Sequence, residues 1–215
     1  MFVDSGSLDM IHLLLDLNGK NVVVFGGGEV GLRKAKYLAA EAEVVVVSRE
    51  FVPGFEGSGI RQVTDDIDAV LVGWIDWAHL VVAATNVPEL NDRIAAAALE
   101  KDKPCNRADG ISTFMIPSVV ERENYTVAIS TEGRSPGMAK FLRIKLDGLL
   151  GPQYDGMVCL QEELRSAARS AIPDQRERER LLWEVLEDQA IWDLLDSDPE
   201  AARELAMKRL VQRSG

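Results

Sequence analysis

Six residues constrain the fold of this 215-residue chain more than any others: Gly26-Gly27-Gly28-Glu29-Val30-Gly31. They stand directly after an apolar run, Val22 to Phe25. Directly behind them, Val30, Leu32, Ala35, Leu38 and Ala39 recur at helical spacing. A G-x-G-x-x-G between a strand and a helix carries a physical meaning that the bare spacing lacks. Gly26 allows a tight turn off the strand, Gly28 lets the backbone approach a pyrophosphate with no Cβ in the way, and Gly31 lets the helix lie close on the strand. The helix start, at Glu29 and Val30, then offers free N–H groups and the positive end of its dipole to phosphate. The alternative is a glycine-rich turn that only packs.

Val44 to Val47 and Leu80 to Ala84 are further short, nearly all-apolar runs, bounded by glycine, charge or Thr/Asn. Such runs read as strands buried on both faces of a parallel sheet. Helical patterns cover Glu29 to Glu41 and a stretch from Pro88 through Ile94 and Leu99 to about Glu100. The alternation predicts an α/β fold, a doubly wound parallel sheet of the Rossmann type with right-handed crossovers. The pattern changes near residue 115 and again near 150. Phe114 to Pro117, Val119-Val120 and Tyr125 to Thr131 read as two more strands, and Ser135 or Pro136 to about Leu150 reads as a helix with Ser135 as N-cap. Beyond Gly151-Pro152 there is no convincing strand. Gln161 to Ala171, Pro173 to Leu195 and Pro199 to Val211 read as helices separated by prolines.

The second strand ends in Ser48-Arg49-Glu50. Dinucleotide folds that read NAD place Asp or Glu there to hold the ribose hydroxyls. Here Ser48 occupies the position, and Glu50 lies two residues on. Arg49 could instead meet the 2′-phosphate of NADP, or be a solvated loop charge. The loop leaves NAD against NADP open. Thr85 and Asn86, after the third strand, could line the cofactor cleft or serve as cap and turn residues.

Charge removes other classes. Acids outnumber bases 35 to 24, a net charge of -11, whereas a nucleic-acid binder draws most of its affinity from neutralising phosphates. No apolar run approaches the roughly 18 to 20 residues of a membrane span, and the first ten residues hold no Lys or Arg, unlike a signal peptide. Two cysteines, Cys105 and Cys159, fit a reducing compartment. A cytoplasmic protein is expected. His12 and His79 have no partner at metal-ligand spacing, so no protein metal site is expected.

Four later segments, read with the glycine loop, carry a resemblance. They are Ala83-Ala84-Thr85 with Leu90-Asn91, Cys105-Asn106-x-x-Asp109, Phe114-Met115-Ile116-Pro117, and Ser130-Thr131-Glu132-Gly133-Arg134-Ser135-Pro136 before a helix rich in Lys and Arg. In that order and spacing the chain resembles the precorrin-2 dehydrogenase and sirohydrochlorin ferrochelatase family, the N-terminal module of siroheme synthase. The resemblance covers about residues 11 to 150 and extends to no methyltransferase module. It implies oxidation of precorrin-2 to sirohydrochlorin with NAD as hydride acceptor, with ferrous iron insertion in some members. It also implies a homodimer with a Rossmann domain over residues 1–114, a small α+β dimerisation segment over 115–150 and a helical region over 151–215. The alternative from another class is a regulatory Rossmann module that senses NAD(P) without catalysis.

Asp109 matches the aspartate to which the family assigns acid–base work. A carboxylate in a partly dry cleft after a strand end can be tuned upward for that task; the bland reading is a turn-forming Asp before Gly110. Asn106, after a strand ending near Cys105, is expected on the substrate side of the cleft, and Cys105 reads as a small core residue. The stretch Arg134 to Lys145 holds Arg134, Lys140, Arg143 and Lys145 and no acid. A polycarboxylate substrate needs local positive charge in so acidic a chain, so Arg107, Arg134, Lys140 and Arg143 are expected to gather around it. Ser135 adds a helix N-terminus. The same helix could equally be a solvated face over a dimer contact through Phe141, Leu142 and Leu146. Glu132 stands where the family has Gly. The stripe Trp183, Leu186, Ile191, Trp192 and Leu195 reads as core.

Overall fold

In the computed structural model, residues 10–212 are described. The chain divides into two compact units after Ile116. In the first, β1 (Asn21–Gly27), β2 (Glu43–Phe51), β3 (Arg61–Thr64), β4 (Leu80–Ala83) and β5 (Cys105–Arg107) form one sheet in the order β3-β2-β1-β4-β5. Every pairing is parallel. The helices α1 (Glu29–Leu38), α2 (Ile67–Trp77) and α3 (Pro88–Glu100) make the crossovers.

The valine runs explain why the sheet is covered on both sides. Successive residues of a strand face opposite ways. Val22, Val24, Val44, Val46, Leu80 and Val82 therefore bury with Leu32, Ala35 and Leu38 of α1. Their neighbours Val23, Phe25, Val45, Val47, Val81 and Ala83 bury with Ile67, Leu71 and Ile75 of α2 and with Ile94 and Ala98 of α3. Cys105 lies in this second layer, as a core residue. The sheet reverses direction of growth at β1, with β2 on one side and β4 on the other. Ligands of open α/β sheets sit at that point, outside the carboxyl ends of the strands.

Two elements go beyond the sequence reading. β3 is an edge strand whose residues, Val63 excepted, are exposed, so it shows no apolar run. α2 is uniformly apolar around Gly73 and lacks a clean polar face. Phe114 to Pro117 is not a strand; Phe114 and Ile116 pack as irregular chain against the α1 side of the sheet.

The second unit holds an antiparallel pair, β6 (Ser118–Glu121) and β7 (Thr126–Ile129), followed by α4 (Pro136–Leu149). Arg122, just past β6, donates to the carbonyls of Asp147 (3.0 Å) and Leu150 (3.1 Å), satisfying acceptors that the end of α4 leaves open. The remaining helices are α5 (Pro152–Ala171), α6 (Gln175–Glu187), α7 (Gln189–Ser197) and α8 (Pro199–Gln212). α5 starts at Pro152, nine residues before the expected Gln161, and the single helix expected over Pro173 to Leu195 is two. Asp188 ends α6 and caps α7, its carboxylate accepting from Ala190 N at 3.0 Å. Leu164, Ala168, Ile191, Ala202 and Ala206 are fully buried among these helices. Of the aromatic stripe, Ile191 and Leu195 are core and Leu186 and Trp192 pack against it. Trp183 is 62% exposed and donates its indole N–H to Glu187.

Candidate active site

The glycine loop leaves β1 with Gly26 at φ +118°, a conformation that side chains rarely tolerate. A Cβ on Gly26 would stand 2.3 Å from the Ala84 carbonyl oxygen, and one on Gly31 would stand 2.0 Å from the Gly26 oxygen. Both positions are closed by the chain's own backbone. Gly28 differs: a Cβ there would meet nothing within 4 Å. It is the N-cap of α1, and no side chain caps that helix. Free N–H groups at the start of α1 thus face open space, as an anion site requires.

That space is a cleft of about 830 Å³. Gly26 to Val30 form one wall, Ser48 to Val52 the end of β2, Asp66 to Asp68 the start of α2, and Ala84 to Val87 the turn after β4. Glu29, Ser48, Thr85 and Asn86 all line it. The bare cradle at Gly28 and the uncapped helix suit a dinucleotide pyrophosphate. Among the described residues, no three His, Cys, Asp or Glu side chains converge as a metal site. His79 is engaged structurally, its Nδ1 accepting from Asn21 N at 3.0 Å.

Thr85 connects this cleft to Asp109 through one buried amide. Asn91 on α3 is 0% exposed. Its Oδ1 accepts from Thr85 N (3.1 Å) and Thr85 Oγ1 (2.8 Å). Its Nδ2 donates to Thr85 O (3.1 Å) and to Asp109 Oδ2 (3.0 Å). The other Asp109 oxygen accepts from Arg107 Nη2 at 3.2 Å, and Arg107 also pairs with Asp92 of α3. Two expectations change here. The Asn91 hydrogen bond, and then Arg107, hold the Asp109 carboxyl below the usual carboxylate range rather than above it. Arg107 is satisfied by two carboxylates, so it adds no free positive charge.

Asn106 is 5% exposed and committed within the unit. Its Nδ2 donates to Phe114 O at 2.9 Å, and its Oδ1 accepts from Lys34 Nζ of α1 at 2.5 Å. Burial brings the Lys34 ammonium down to about 8. No carboxylate among the described residues lies within salt-bridge reach of it. Burial likewise pushes the Cys105 thiol up to about 11, which leaves it protonated and unreactive.

Arg134, Ser135, Lys140 and Arg143 belong to the second unit. Ser135 is the N-cap of α4, accepting from Met138 N at 3.2 Å. Arg134 is paired with Glu132 at 3.4 Å. Glu132 adopts φ +52°, a left-handed turn position that glycine holds without strain. Lys145 lies over the Phe141 ring, 5.7 Å from its centre. Among the described residues Lys140 and Arg143 have no carboxylate within salt-bridge reach. The basic segment therefore keeps part of its expected charge.

Residues 13–118 match a family of putative NAD(P)-binding domains. The precorrin-2 dehydrogenase of Methanosarcina barkeri is 40% identical over 206 residues, covering 92% of both chains. The chain belongs to the precorrin-2 dehydrogenase family. Siroheme synthases are longer relatives. That of Pseudomonas putida is 32% identical over 93% of this chain but only 42% of its own length, and that of Azotobacter vinelandii is 30% identical over 92% and 43%. The solved structure of SirC, a precorrin-2 dehydrogenase, shares the fold with a TM-score of 0.69 at 22% identity, over 94% of this chain and 100% of that one.

Within this family member, Asn91 and Lys34 are among the site-forming residues that sequence reasoning did not assign, together with Asp66, Asp68 and Arg93 of the cleft wall. Asn91 stood inside the motif that carried the resemblance. Its signal was a polar residue three and seven positions before Ile94 and Ala98, on the face that the helix buries. Lys34 gave a fainter one: a lysine next to Ala35 on the buried side of α1, flanked by basic neighbours that mask it.

Proposed function

We propose that this chain oxidises precorrin-2 to sirohydrochlorin in siroheme synthesis, with the cleft at Gly28 holding NAD and Asp109 receiving the proton. Bound NAD accepts the hydride. Removing a hydride from the macrocycle also releases one proton, so the site needs a base beside the cofactor. Asp109 is suited by position. The Asn91 amide that grips Thr85 at the cleft wall also grips Asp109, which fixes the carboxylate relative to the cleft. That link is the observation that carries the reading. Arg107 and Asn91 keep Asp109 ionised at neutral pH, ready to accept a proton. They also make it a weak base, so protonated Asp109 passes the proton on to solvent readily. Lys140, Arg143 and the Ser135 cap are the groups proposed to receive the carboxylates of the substrate, with Arg134 once it leaves Glu132.

The test is an anaerobic assay of precorrin-2 with NAD, followed by the absorbance of NADH. Asp109→Asn should lose at least about a hundredfold in kcat while binding NADH in a direct titration. Normal turnover would remove Asp109 from the chemistry, and absent NADH binding by the parent would remove the cleft. Adding ferrous ion to the product in the same cuvette reads iron insertion.

The dimer is part of this proposal. Met138, Phe141, Ile144 and Leu149 are each about half exposed or more on α4, and β6 and β7 form a two-stranded sheet of their own, with no further strand paired at either edge among the described residues. A second copy of this chain would cover both. Sedimentation of the parent should give a dimer, and Phe141→Glu should shift it toward monomer; a monomeric parent would sink this part. We place the activity in the cytoplasm, in keeping with the reduced cysteines and with the finding that, among the described residues, no helix is long and apolar enough to cross a membrane.

A further inference from the structure

The end of the cleft built by β2 and α2 carries two ion pairs that the proposed chemistry leaves unused. Arg49 Nη2 lies 2.7 Å from Asp66 Oδ2. Arg93 Nη2 lies 2.8 Å from each carboxylate oxygen of Asp68, and Arg93 Nε donates to Asp68 at 3.2 Å. All four side chains, together with Glu50, line the cleft. The register explains how Asp66 comes to the end of β2. Ser48 pairs with Thr64 of β3, and Asp65 N donates to Ser48 O at 3.2 Å. The chain then turns at Asp66 into α2, where the second Asp66 oxygen accepts from Asp68 N at 3.2 Å.

Ribose recognition in this fold follows a simple rule. A carboxylate at the end of β2 holds the 2′-hydroxyl of NAD, and an arginine nearby receives the 2′-phosphate of NADP. On sequence this chain has the wrong signature for NAD, with Ser48 in the acid's place and Arg49 beside it. The fold reverses that. The arginine is engaged, and the acid arrives from the neighbouring strand.

We propose that Asp66 sets the preference of this cleft for NAD over NADP, by occupying Arg49 and by placing negative charge where a 2′-phosphate would come. With Asp66 ionised, Glu50, Asp66 and Asp68 outnumber Arg49 and Arg93. A 2′-phosphate then meets a net negative end with no free guanidinium. Removing the Asp66 charge balances the end and frees Arg49 for bidentate contact with phosphate. Exposed pairs of this kind contribute little to folding, so the selectivity can be altered without unmaking the unit.

The inference rests on the cleft being the cofactor site, and the experiment separates the two. Binding of NADH and NADPH is titrated by nucleotide fluorescence for the parent, Asp66→Asn, and Asp66→Asn combined with Arg49→Ala. Asparagine keeps an oxygen for the α2 cap, and Asp66→Ser serves as a second variant should Asp66→Asn melt early. The parent should favour NADH. In Asp66→Asn the ratio of NADPH to NADH dissociation constants should fall at least tenfold, and Arg49→Ala should restore it. The gain should shrink as salt is raised. An unchanged ratio in both Asp66 variants, or a parent that already binds NADPH as tightly as NADH, overturns the proposal while leaving the cleft in place. A parent that binds neither nucleotide overturns the cleft itself.

Discussion

Lys34 is a half-buried cation whose ammonium donates to the Asn106 amide oxygen, and its pH behaviour follows from that burial. Its folded value, about 8, lies below the roughly 10.4 of a lysine in an unfolded chain. Between those two values the unfolded chain holds the extra proton, so the stability tied to Lys34 rises with pH across that window. The melting temperature of the parent should therefore gain on that of Lys34→Met between pH 8 and pH 10. The lost hydrogen bond to Asn106 adds an offset that does not vary with pH. A constant difference would mean that Lys34 is solvated. At this scale the sequence was only partly legible. Glycines 26, 28 and 31 could be assigned because the turn they make falls within six residues, although the Ala84 carbonyl that also closes Gly26 lies 58 positions on. The setting of Asp109 could not, because Asn91 and Arg107 decide it, and the contact with Asn91 spans 18 residues. A carboxylate expected to be raised by dryness is instead lowered by a donor that only the folded chain delivers.

Among the elements, Asp188 has the most concentrated role. It ends α6, caps α7 through Ala190 N, and lies 3.3 Å from Arg209 Nε of α8. Asp188→Ala removes the cap and the ion pair together. A lost cap costs about 1 kcal/mol and an exposed pair at most about 1 kcal/mol, so the variant should lose about 1–2 kcal/mol in urea denaturation. A loss under a few tenths would show that α6 and α7 are held by packing alone. The sequence reading ran these two helices together because no proline or glycine marks the junction, and an aspartate can cap a helix or sit in one. Strands with strong valine runs were legible for the opposite reason. They are buried on both faces, and only an unbroken apolar run can be. β3, exposed at the edge, escaped notice because nothing demanded that it be apolar.

Over the whole molecule both parts of the chain are acidic: residues 1–150 hold 21 acids and 15 bases, and residues 151–215 hold 14 and 9. Like charges at that density oppose compaction. The ion pairs that salt would also weaken are mostly exposed and contribute little each. Raising sodium chloride from about 10 mM, where the screening length is roughly 30 Å, to about 150 mM, where it is roughly 8 Å, should therefore raise the melting temperature. A fall would mean that the pairs outweigh the repulsion. Expected positive charge around the substrate groups was legible only in part, since Arg107 and Arg134 are met by carboxylates that the linear sequence does not place beside them. The strand order has a further consequence, in time rather than space. Phe25 pairs with Ala83, so the wall that faces the glycine loop is synthesised 58 residues after the strand that carries it. At about 5–20 residues per second, a nascent chain spends roughly 3–12 s with its glycine loop synthesised and its opposite wall still missing. Free nucleotide can steady the chain only after that interval, and during it the valines of β1 and β2 are the ones a chaperone would meet.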